Sequence, residues 1–62
     1  MTFSLTRAIF GALEHRGPST ADDVAAALQW TVPGVRRKLR ELARAGYVTE
    51  HEGVYALSHE LD

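Results

Sequence analysis

Apolar side chains at Leu5, Ala8, Ile9, Ala12 and Leu13 recur at three- and four-residue steps, which predicts an amphipathic helix over residues 4–16. Ser4 is a suitable N-cap, and Gly17-Pro18 a strong stop. A second helix is predicted over 20–29, with Val24, Ala27 and Leu28 as its apolar face and Ser19 or Thr20 as its cap. Asp22 and Asp23 fall where carboxylates complement the positive end of the helix dipole. The small side chains of Ala25, Ala26 and Ala27 allow a neighbouring helix to approach closely. A third helix is predicted over 32–45, capped by Thr31, with Pro33 tolerated in the first turn and Val35, Leu39, Leu42 and Ala43 as the buried stripe. After Gly46 the period changes. Tyr47-Val48-Thr49-Glu50 and Val54-Tyr55-Ala56-Leu57 are β-branched and aromatic runs separated by His51-Glu52-Gly53, which predicts a hairpin over 47–57 followed by a polar tail. The expected fold is mainly α with a small β-hairpin, a single domain over 1–62.

Length and composition narrow the function classes. A chain of 62 residues buries only about 60% of its unfolded surface, which leaves little to build a deep substrate cavity. No nucleophile–base pattern, phosphate-binding loop or paired carboxylate in an apolar setting is present, so an enzyme is not expected. With no cysteine there is no disulfide framework, thiolate zinc site or thiol nucleophile. His15, His51 and His59 lack the spacing of a chelating set, so neither metal nor cofactor is expected. No stretch approaches the roughly 18 apolar residues that span a bilayer, and the N-terminus has no signal-peptide core, which makes the cytoplasm the expected location.

Charge changes the picture more. The net charge is −1, but residues 32–46 carry Arg36, Arg37, Lys38, Arg40 and Arg44 against Glu41 alone, a local balance of +4 with −5 elsewhere. One concentrated cationic segment attracts an anionic partner whatever the overall charge. At 100° per residue, Arg36, Arg37, Arg40 and Arg44 are joined by i+3, i+4 and i+7 steps on the side opposite Val35, Leu39 and Leu42.

The stretch Thr20-Ala21-Asp22-Asp23-Val24-Ala25-Ala26-Ala27-Leu28, then Val35-Arg36-Arg37-Lys38-Leu39-Arg40-Glu41-Leu42-Ala43-Arg44-Ala45-Gly46-Tyr47-Val48, resembles bacterial and archaeal winged helix-turn-helix regulators of the MarR and ArsR type. That resemblance implies a DNA-binding transcriptional regulator, often dimeric, whose third helix lies in the major groove and whose hairpin, the wing, meets the flanking backbone. An arginine fork bonds guanine O6/N7 or phosphate bidentately, so Arg36, Arg37 and Arg40 are expected in the groove. Arg44 and Lys38 are expected on phosphates, as are Ser19 and Thr20 at the start of the second helix; Thr31 at the start of the third joins the DNA-contacting set.

Two features depart from the pattern. Val32-Pro33-Gly34, where base-reading side chains usually stand, offers no hydrogen-bonding side chain, leaving thymine-methyl contact or shape. The wing tip Glu50-His51-Glu52 is acidic and would be repelled by phosphate. A rival expectation is therefore a winged-helix protein-interaction module, meeting a protein partner through the wing or the first helix. Phe3 and Phe10, spaced i+7, either lie under the hairpin with Tyr55 and Leu57 or form an exposed patch that joins two protomers; the homodimer is the favoured expectation. Trp30 is expected to plug the core of the helix-turn-helix, with an exposed anchor as the alternative.

Overall fold

The computed structural model describes residues 3–58. Three helices, α1 Leu5–Arg16, α2 Ala21–Leu28 and α3 Val32–Ala45, precede a hairpin of β2 Val48–His51 and β3 Val54–Leu57, and a two-residue strand β1 Ser19–Thr20 lies between α1 and α2. Residues 59–62, which include His59 and most of the polar tail, lie outside the described residues. None of the helices described is long and apolar enough to cross a membrane.

Each helix begins on a side-chain cap. The hydroxyls of Ser4, Thr20 and Thr31 accept from the backbone N–H of Arg7, Asp23 and Gly34 at 3.2, 3.1 and 3.2 Å. The ends of α2 and α3 share one device. Trp30 N–H bonds the Ala25 carbonyl and Gln29 N–H that of Ala26, just as Tyr47 bonds Leu42 and Gly46 bonds Ala43. Both are Schellman closures and need a left-handed residue, supplied by Gly46 at φ 93° and by Gln29 at φ 55°. The second departs from glycine's usual role and leaves no mark in the sequence.

β1 was not foreseeable from periodicity, because two residues show no alternation. It exists because β3 has an edge of unpaired backbone groups to satisfy. Ser19 pairs Tyr55 and Thr20 pairs Val54, giving the antiparallel order β1-β3-β2. On the other side His51 pairs Val54, so the hairpin turn is Glu52-Gly53 alone, with φ of 52° and 83°. Those angles are type I′, the turn that matches the twist of the strands.

The core consists of Ile9 and Leu13 from α1, Ala21, Val24 and Ala25 from α2, Val35, Leu39 and Leu42 from α3, and Val48 and Tyr55 from the hairpin. Two expectations are corrected here. The α2 face is centred on Ala21, Val24 and Ala25, with Leu28 half-buried and Ala27 exposed. Within an alanine run the side chains are identical, so periodicity cannot choose the buried one. Trp30 is not the core plug: it is 46% exposed, and its ring stacks on Phe3 with centroids 5.3 Å apart. Leu28 and Val32, on either side of the turn, pack against the core in its place.

Phe3 and Phe10 also separate. Phe10 is half-buried against the core and meets Tyr47 edge-on at 6.1 Å, whereas Phe3 is 59% exposed beside Trp30.

Candidate nucleic-acid interface

Burying Val35, Leu39 and Leu42 turns the opposite side of α3 outward. Arg36, Arg37, Arg40 and Arg44 stand there with Pro33 and Glu41, lining one open surface hollow. Arg37, Arg40 and Arg44 make no ion pair among the described residues, so no described carboxylate neutralises their guanidinium charge. Such donors exchange water for an anionic partner without first breaking an internal bond.

The flanks of α3 differ. On one, Arg36 reaches Asp22 in the first turn of α2 at 3.7 Å, with both side chains substantially exposed. On the other, Lys38 donates to Glu41 at 3.0 Å, one turn along the helix. Lys38 is thus held by a neighbouring carboxylate and set apart from the arginine face. The Asp22 contact draws the start of α2, with Thr20 at its cap, towards the Arg36 side of the same surface.

Ser19 and Thr20 are placed differently from one another. Thr20 keeps a half-exposed hydroxyl that accepts from Asp23 N–H and still has its own proton to donate. Ser19 is only 5% exposed, and its hydroxyl donates inward to the Gly17 carbonyl at 2.9 Å, so that side chain is turned away from any external anion. Thr31 has the same capping geometry as Thr20 and is exposed.

The first turn of α3 is as bare as its sequence suggests, and the structure supplies a reason. A Cβ on Gly34 would meet Thr31 Oγ1 at 2.8 Å and Trp30 Nε1 at 3.1 Å, so the cap and the indole together occupy the space a side chain would need. Val32 is half-buried against the core, leaving Pro33 exposed on this turn.

Between α3 and the wing lies a second hollow of about 370 Å³, lined by Arg40, Ala43 and Arg44 on one side and Glu50 and Tyr55 on the other. Glu50 accepts from Gly53 N–H at 2.7 Å, bracing the turn of the hairpin. Asp22, Glu50 and Tyr55 stand beside the arginine face without having been assigned to it from sequence: Asp22 comes there when α2 packs on α3, and Glu50 and Tyr55 when the hairpin does. Among the described residues no group of three or more histidines and carboxylates is arranged to hold a metal ion.

Three helices with a three-residue turn between the second and third, followed by a hairpin against the arginine-bearing helix, define a winged helix-turn-helix. A family model described as a helix-turn-helix domain matches residues 4–51, and the chain belongs to that family. Neither a curated protein nor a solved structure matches it.

Proposed function

We propose that this domain binds double-stranded DNA as the DNA-reading part of a cytoplasmic transcriptional regulator, with α3 in the major groove. The carrying observation is the set of Arg37, Arg40 and Arg44, without an ion pair among the described residues, on the outward face of the helix whose inner face is core. Arg36, Arg37 and Arg40 enter the groove, Arg40 on its phosphate wall towards the wing; Arg44, at the last turn, takes a phosphate. The hydroxyls of Thr20 and Thr31 donate to phosphates near the starts of α2 and α3. Lys38 contributes least, because it must first leave Glu41. Ser19 serves the strand pairing and the Gly17 contact instead of the DNA. With Pro33 and Gly34 in the first turn, discrimination there rests on shape and methyl contact.

Two copies pair in this proposal through the exposed Phe3–Trp30 stack, with Phe10 contributing at its half-buried edge. Dimers of this kind space two reading helices about one DNA turn apart and select a pseudo-palindromic site. No catalytic step is assigned.

Fluorescence anisotropy of labelled duplexes across a salt series tests the reading. Binding that weakens steeply with salt supports it, and the slope counts the phosphates engaged. An intact fold that ignores DNA even at low salt would instead favour the protein-interaction module, a second reading supported by the acidic Glu50-His51-Glu52 tip and the exposed aromatic stack.

A further inference from the structure

The hollow between α3 and the wing combines two kinds of wall. Arg40 and Arg44 supply two guanidinium groups without carboxylate partners among the described residues, and Ala43 between them is too short to close the gap. Across from them stands Glu50, whose carboxylate accepts from the Gly53 N–H at 2.7 Å and forms no ion pair among the described residues. Turn geometry therefore holds a negative charge on one wall of a cationic hollow that would otherwise suit a phosphodiester. The other acidic residue of the wing, Glu52, lies beyond this hollow at the exposed tip of the turn.

We infer that Arg40 and Arg44 form a phosphodiester subsite facing the wing, and that Glu50 attenuates it, so the wing lowers the affinity of the domain for DNA. This rests on the DNA-binding reading above and deepens it, adding a residue that sets how tightly the same surface holds. A unit charge about 4 Å from a phosphate in water is worth about a kcal/mol, less with salt, and that converts to roughly a threefold to tenfold change in affinity.

The test compares the full chain with E50Q, E52Q and E50Q/R44A by anisotropy on one random duplex across a salt series, with circular dichroism melts as the control for folding. Glutamine retains a carbonyl oxygen for the Gly53 N–H, so E50Q preserves the turn. The expected result is that E50Q binds about threefold to tenfold more tightly with a salt slope steeper by about one phosphate, that E52Q changes affinity less, and that R44A in the E50Q background removes the gain. If the parent binds but E50Q gains nothing, or gains no more than E52Q, the inference falls while the DNA-binding reading stands. If neither parent nor E50Q binds at low salt, both fall. If only E50Q binds, the attenuation is confirmed at its strongest.

Discussion

Arg37 and Leu39 are two positions apart on α3 and point to opposite sides, so substituting each tests a different property. Leu39 is fully buried among all three helices and the hairpin core, and Leu39→Ala is expected to destabilise the domain by about 2–5 kcal/mol in urea unfolding. In a domain this small that approaches the whole stability. Arg37→Ala, by contrast, removes an exposed side chain with no ion pair among the described residues and is expected to leave the unfolding midpoint unchanged while costing about 1–3 kcal/mol of DNA binding by anisotropy. Unchanged affinity with the fold intact would remove Arg37 from the interface. Trp30 makes a third contrast. Being half-exposed and stacked on Phe3, it should cost about 1 kcal/mol on replacement by Ala, against the roughly 3–5 kcal/mol of a core tryptophan. As the only tryptophan, it also reports its own environment: its emission should be accessible to iodide quenching in the folded monomer and shielded where two copies pair through the Phe3–Trp30 stack.

At the scale of elements, caps and turns decide where each helix and strand ends. Thr20 and Thr31 set the starts of α2 and α3, while left-handed Gln29 and Gly46 close them, which fixes the short connection between the two helices. The hairpin turn carries a comparable constraint at Glu52, whose φ of 52° is unfavourable for a side chain that cannot bond its own backbone as Asn does. Glu52→Asn is therefore expected to raise stability by about 0.5–1 kcal/mol in thermal or urea melts; a loss would mean that the turn is not of the I′ type. The same element explains why a two-residue β1 persists: its pairing covers one edge of β3 and ties the start of α2 to the wing.

For the whole molecule, charge and packing are largely separate. Described ion pairs are few and exposed, so they contribute little to folding, and the core is apolar apart from the Ser19 and Tyr55 hydroxyls. Raising salt from about 50 to 200 mM is accordingly expected to shift unfolding free energy by less than about 1 kcal/mol. DNA affinity over the same interval should drop by more than tenfold if several phosphates are engaged. A parallel change in both would mean that the arginine face takes part in holding the fold together.

The helix positions, their N-caps, the hairpin and the arginine face were legible in the sequence, because each follows from local periodicity, a capping side chain or a glycine at a boundary; the left-handed Gln29 that closes α2 was not. The placement of Phe3 against Trp30, the buried choice within Ala25-Ala26-Ala27, the inward turn of Ser19 and the strand β1 were not. Nor were the approaches of Asp22 and Glu50 to the arginine face. All of these depend on contacts between residues far apart in the chain. Local propensity assigns a residue to an element and a face; which neighbour that face meets is decided only when the elements pack.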